Sequence, residues 1–331
     1  MMLDILANND WERPIYFTGG SYSDSEYIWM KKYLQLEGLV YKLVPIETDL
    51  GDDNPYLMGR IDSDLMYDIV MQWEWGNSES LDIYHDTETR KNSISFRSNM
   101  ARLAETLINE NKFEKAKAIL DLGIEKMPLD YFGYYSLLVP FVDGYYRINE
   151  VDKAKELSQK IGEKYNDRLA YFESLNANLQ YSMGEEIITE IERYRVLVEA
   201  DLKHGENIKL TPVLNQFMES FLPFKFLYGD YEFYTGLIDI TEGYYLDGEI
   251  ELAQDLTRKI SAQYEERLGL YNQVSEDSQL QIIKRIQREL NGFNYVVQIV
   301  KAYDNTEFVN EIEIMFNKNV NLFSSVLSEE E

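Results

Sequence analysis

Residues 143–169 read DGYYRINEVDKAKELSQKIGEKYNDRL, and residues 242–268 read EGYYLDGEIELAQDLTRKISAQYEERL. The second stretch returns at an offset of 242 − 143 = 99 positions. It keeps Gly144 as Gly243, Tyr145-Tyr146 as Tyr244-Tyr245, Ala154 as Ala253, Lys160-Ile161 as Lys259-Ile260 and Arg168-Leu169 as Arg267-Leu268. Agreement across so many positions marks a duplication. The apolar residues return at intervals of three and four, which is the signature of an amphipathic helix. Small residues beside large apolar ones describe two antiparallel helices that approach closely and fill the seam with the next pair.

Working outward, the same pattern defines three helix-turn-helix units of the tetratricopeptide kind. The first carries Met100, Leu103, Ala104, Leu107, Phe113, Ala116, Leu120, Gly123 and Pro128. The second carries Leu138, Phe141, Tyr145, Val151, Ala154 and Ile161, and the third Leu237, Ile240, Tyr244, Gly248, Ile250, Ala253 and Ile260. Val142 and Thr241 stand where such repeats use a small residue, so these hairpins are expected to splay. Pro140 is expected to start or kink its helix. An inserted helical segment at about 170–230 includes Glu185–Leu202 and Pro212–Phe221. Beyond the third unit, Ser278 is the expected N-cap of a long helix to Ala302, followed by a last helix over Glu307–Val326 and an acidic tail. The expected class is mainly α: a tetratricopeptide-like, right-handed hairpin array within 97–331, its helices ending at 326, behind a small N-terminal α/β cap at 1–60.

Within the cap, Met2–Ala7 reads as a short helix, Ile15–Thr18 as a strand, Tyr27–Leu36 as a helix closed by Gly38, and Leu39–Val44 as a second strand. Strand, helix and strand in so short a span predict a right-handed βαβ unit. The acidic stretch 47–60 contains Glu47, Asp49, Asp52 and Asp53 without the ligand spacing of a calcium loop, and is expected to be solvated. In the 61–96 segment, Asp62 or Ser63 is expected to cap a helix that ends near Gly76, with 77–95 as a polar connection.

Composition narrows the chemistry. The 331 residues carry 32 Lys and Arg against 59 Asp and Glu, a net charge of −27 that repels phosphate backbones and anionic lipid surfaces. Nucleic acid is therefore not an expected partner, and no apolar run approaches the roughly 20 residues of a membrane span. The chain has no cysteine, which removes disulfides and thiolate chemistry, and its two histidines, His85 and His204, are distant in sequence. Gly19-Gly20 lacks the rest of a phosphate loop. Glu185-Glu186 and the pair Glu190 and Glu192 read as a solvated helix face, and Trp73 and Trp75 as helix-end anchors. No catalytic residue, metal site or cofactor is expected.

A partner-binding groove is one reading of the repeats. The first helix of each unit has an acid at one outward position, Glu105, Asp143 and Glu242, followed three residues on by Ile108, Tyr146 and Tyr245. Such a groove suits a basic or hydroxyl-rich polypeptide segment. The alternative is that the tyrosines pack against neighbouring helices and the acids are ordinary surface.

Finally, Leu3–Phe17 with Trp11-Glu12-Arg13-Pro14, Tyr33–Ile46 with Glu37-Gly38, Met66-Tyr67-Asp68 and Trp75-Gly76 resemble the soluble C-terminal portion of Bacteroidetes membrane glycosyltransferases related to the animal transmembrane protein 260. The resemblance spans the chain and is most specific over 3–46. It implies an upstream multi-spanning membrane domain of the GT-C type that carries the acidic catalytic residues, none of which maps onto this sequence. It also implies a periplasmic, non-catalytic repeat module of a protein O-mannosyltransferase-like enzyme, which binds acceptor protein or a partner. The alternative is a free-standing cytoplasmic interaction scaffold with no link to glycosylation.

Overall fold

The structure, a computed structural model, describes residues 2–18, 27–50, 58–205, 208–305 and 307–328. It gathers into two compact units, Met1–Leu157 and Ser158–Glu331.

The first unit opens with α1 (Met2–Asn8) and a three-stranded sheet of β1 (Tyr16–Thr18), β2 (Leu34–Glu37) and β3 (Val40–Leu43) in the order β1-β3-β2. Both pairings are antiparallel, so the expected βαβ unit is corrected. Of the expected 27–36 helix, the winding stops at Tyr33, and Ile28–Tyr33 is a 3-10 turn. Leu34-Gln35-Leu36-Glu37 then extends, and all four residues are buried. Gly38 ends no helix. At φ +69° it takes the first position of a two-residue hairpin turn that sets Glu37 opposite Val40 and Leu34 opposite Leu43. A loop that short joins only antiparallel strands. On the free side of β2, the Leu36 N–H donates to the Arg60 carbonyl at 2.9 Å and the Arg60 N–H to that of Leu34 at 2.8 Å, covering the edge. Of the acidic 47–60 stretch, residues 51–57 lie outside the described residues, as does Gly19-Gly20.

Helix α2 (Ser63–Met71) starts where expected, with the Asp62 carboxylate accepting from the Leu65 N–H at 3.2 Å. Helix α3 (Thr87–Asn109) begins ten residues before the expected start at 97, because Asp86 caps it through the Thr89 N–H at 2.7 Å. The polar face of its first turns had read as connection. Arg97, fully buried on α3, donates to the carbonyls of Met127 and Gly133 and so satisfies the ends of α4 (Phe113–Lys126) and α5 (Leu129–Phe132). Its burial pulls the guanidinium pKa down to about 10.

Three helical hairpins follow the repeat: α3 with α4, α6 (Val139–Arg147) with α7 (Val151–Glu173), and a third pair in the second unit, described below. All three turn in the same way. The N–H groups of Lys112, Glu150 and Glu249 reach back five residues to the carbonyls of Leu107, Tyr145 and Tyr244 at 2.8–2.9 Å. The residue before each donor, Asn111, Asn149 or Gly248, is left-handed at φ +60°, +64° or +77°. This is a Schellman closure, which explains why Asn or Gly occupies that position. Pro140 lies in the first turn of α6, where its missing N–H costs nothing.

The second unit runs through α8 (Ala177–Ser182), α9 (Gly184–Lys203), α10 (Thr211–Phe221) and α11 (Asp230–Thr235) to the third hairpin, α12 (Ile238–Leu246) with α13 (Ile250–Tyr271). It ends with α14 (Glu276–Gln281), α15 (Ile283–Tyr303), α16 (Phe308–Leu322) and α17 (Ser324–Ser328). The long helix expected from Ser278 is thus broken at Ile282, and its cap position is taken by Ser275. The last expected helix breaks at Phe323.

The duplication is longer than its identities reveal. Helices α8 and α9 start at 177 and 184, α14 and α15 at 276 and 283, each 99 residues apart. Tyr165 stacks on Tyr194 at 5.2 Å and 13°, and Tyr194 meets Phe217 edge-on at 83°. At the same offset Tyr264 stacks on Phe293 at 5.4 Å and 12°, and Phe293 meets Phe316 at 78°. Arg168 pairs with Glu190 at 3.5 Å as Arg267 does with Glu289 at 3.0 Å. Glu190, read as solvated from sequence, is buried and also accepts from Arg193. The segment read as an insertion is therefore the second half of the repeated block.

Candidate functional site: a cleft between the first two hairpins

In the first unit, α3 and α6 leave a cleft of about 480 Å³. Ala101 and Ala104 on α3 and Gly144 on α6 are the small residues of its lining, and Gly144 lets α6 lie against α4, since a Cβ there would meet Leu120 at 3.1 Å. Ile108 and Val139 complete an apolar floor, and Ser136 and Leu137 line it from the 3-10 turn Tyr135–Leu138. Ser98, Glu105, Asp143 and Arg147 supply the polar lining.

Its charges are unequally committed. Arg147 is 3.6 Å from Asp143 one turn before it, and also donates to the Asn109 side chain. Arg102 turns to the cap, donating to the Met58 carbonyl at 2.8 Å, the Gly59 carbonyl at 3.1 Å and the Tyr41 hydroxyl at 3.1 Å. Glu105 is exposed. The cleft thus presents an apolar floor, the Ser98 and Ser136 hydroxyls and the Glu105 and Asp143 carboxylates, with Arg147 held by Asp143 and Asn109 and Arg102 by the cap.

Of the residues singled out from sequence, Glu105, Ile108 and Asp143 meet here. Tyr146 does not open into the cleft: it is 7% exposed. In the second unit Tyr245 is 4% exposed, stacks beside Tyr303 at 6.2 Å and donates to Asp304 at 3.2 Å. Burial and the adjacent carboxylate push its phenol pKa up. Glu242 accepts from the Tyr303 hydroxyl at 3.0 Å. The tyrosines thus pack in their own units. Ala101, Ser136 and Leu137 were missed; the signal available was the Ala101 and Ala104 pair three residues apart on one helix face.

No acid–base or nucleophilic set converges on the cleft. His85 packs against Tyr131 and Phe132 at 5.1 and 5.2 Å, with its Nε2 3.2 Å from the Ser78 carbonyl. Trp73 and Trp75 both pack on Phe96, at 5.0 and 5.5 Å. Among the described residues no group of His, Cys, Asp and Glu is arranged to hold a metal, and no helix is long and apolar enough to cross a membrane.

No curated protein and no solved structure matches the chain. Residues 1–65, the cap and the first turn of α2, match the family model described as TMEM260-associated domain 2, which supports a relation of this part of the chain to TMEM260.

Proposed function

We propose that the chain is a non-catalytic, tetratricopeptide-like module of a membrane protein O-glycosyltransferase, in which the α3–α6 cleft holds a segment of acceptor or partner protein. The observation that carries this reading is the match of residues 1–65 to a TMEM260-associated domain. Arg102 ties that matched cap to α3, the helix that forms one wall of the cleft. The apolar floor suits an extended peptide, and the carboxylates with Ser98 and Ser136 suit one rich in Lys, Arg, Ser or Thr. By the same reading the chain works in the periplasm beside a membrane domain that supplies catalysis. The test pairs two assays on the purified chain. Incubation with a lipid-linked mannose donor and acceptor peptides should yield no glycopeptide, while a peptide array should retain basic and hydroxyl-rich sequences over acidic ones. Glycopeptide formed by this chain alone, or retention without regard to charge, would overturn the proposal.

A further inference from the structure

The cap has a second cleft, of about 470 Å³, within the first unit. Leu6, Ile15 and Leu43 form its floor, and Trp11, Trp29 and Tyr33 stand around it. None of the residues that line it carries a formal charge. Both indoles are 59% exposed, which is unusual for the side chain with most to gain from burial.

Trp11 is also held there against its own backbone preference. The Glu12 N–H donates to the Asn9 carbonyl at 2.9 Å, closing a tight turn whose central residues, Asp10 and Trp11, lie at φ +46° and +60°. Positive φ at both central positions defines the type I′ geometry, which strongly prefers Asn-Gly or Asp-Gly. A tryptophan at the second position is a genuine outlier. The Asn9 side chain braces the turn by donating to the Arg13 carbonyl at 2.8 Å. Residues kept in such conformations cluster at ligand sites. Glycine would relax this turn; tryptophan keeps an exposed ring at the cleft.

We infer that the cap carries a binding site for a neutral carbohydrate, with Trp11 and Trp29 as its stacking platforms. The volume is that of a small-ligand site. The ring faces carry negative quadrupole potential and attract the polarised C–H face of a sugar ring. Hydroxyl partners stand at the edge: the Tyr33 hydroxyl donates to the Glu47 carboxylate at 3.2 Å, and Lys32 lies 3.9 Å from the same carboxylate. The uncharged lining gives an anionic ligand no counter-charge, and the chain's net charge of −27 repels it. This inference stands on the geometry of the cap and does not depend on the cleft between the hairpins.

The test titrates the full chain with maltotriose, mannotriose and chitotriose, reading tryptophan fluorescence and saturation-transfer NMR, with sialyllactose, tetramethylammonium and decanoate as charged or apolar controls. At least one neutral trisaccharide should bind saturably and more tightly than every control. Trp11→Ala and Trp29→Ala should each weaken it by about tenfold, and Ala101→Trp in the other cleft should leave it unchanged. Trp11→Gly separates binding from structure: it should weaken binding while raising the melting temperature, because it relaxes the turn. Absence of saturable trisaccharide binding, tighter binding of any control, full affinity in Trp11→Ala, or a lowered melting temperature in Trp11→Gly would overturn the inference.

Discussion

Asp64 accepts from two ammonium groups, Lys112 and Lys115, each at 2.7 Å, and those bonds pull its pKa down to about 2 from the ordinary 3.8. The folded value lies below the unfolded one. Its contribution to stability is therefore complete above about pH 3.8 and fades as the pH falls towards 2. A carboxyl carbon NMR titration of the folded chain should place the Asp64 midpoint near 2, and near 3.8 in a Lys112→Met, Lys115→Met variant. Tyr146 and Tyr245 make a second prediction. Each is buried, so truncation to alanine should cost about 3–5 kcal/mol per site in urea unfolding. A cost below about 1 kcal/mol would show that the rings are free to line a groove. Tyr245→Phe keeps the packing and removes the hydroxyl that donates to the Asp304 carboxylate, for a loss of about 1.5–3 kcal/mol.

At the scale of elements, the two copies of the repeated block differ in the burial of their ion pair. Glu289 accepts from the Arg267 Nε at 3.1 Å and lies 3.0 Å from its Nη2 as an ion pair, and both side chains are nearly dry. Arg168, the counterpart of Arg267, is half exposed. Removing one partner of a desolvated pair strands the other charge, so Glu289→Gln should destabilise by about 3–5 kcal/mol. Glu190→Gln should cost less, and urea unfolding of both variants checks the order. The same comparison explains what sequence could disclose. The second and third hairpins were legible because Gly144, Tyr145-Tyr146 and Ala154 recur by identity as Gly243, Tyr244-Tyr245 and Ala253. That the segments from 177 and 276 are copies of one another was not legible, because Tyr194 stands against Phe293 and Leu197 against Val296: the sites share their burial and differ in their residues. In the cap, Leu34–Glu37 alternates as a strand should, but the reading carried the preceding winding through it, and Gly38 serves a hairpin turn as readily as a helix end.

For the whole molecule, the class of fold was legible, since the switch from extended to 3.6-period patterning survives in the structure. The site was legible only in part. Glu105, Ile108 and Asp143 followed from aligning the repeats, whereas Ala101, Ser136 and Leu137, which line the cleft beside them, lie at positions the alignment did not use. With a net charge of −27, association with a basic peptide should also be faster at low salt and weaken as ionic strength rises. In the proposed function the α3–α6 cleft seats a protein segment. The direct measurement is the dissociation constant of a Lys-, Ser- and Thr-rich peptide for the wild-type chain and for Ala101→Trp, which fills the cleft from its wall. We expect binding to weaken by about tenfold or more at an unchanged melting temperature; equal affinity of the two proteins would contradict the account.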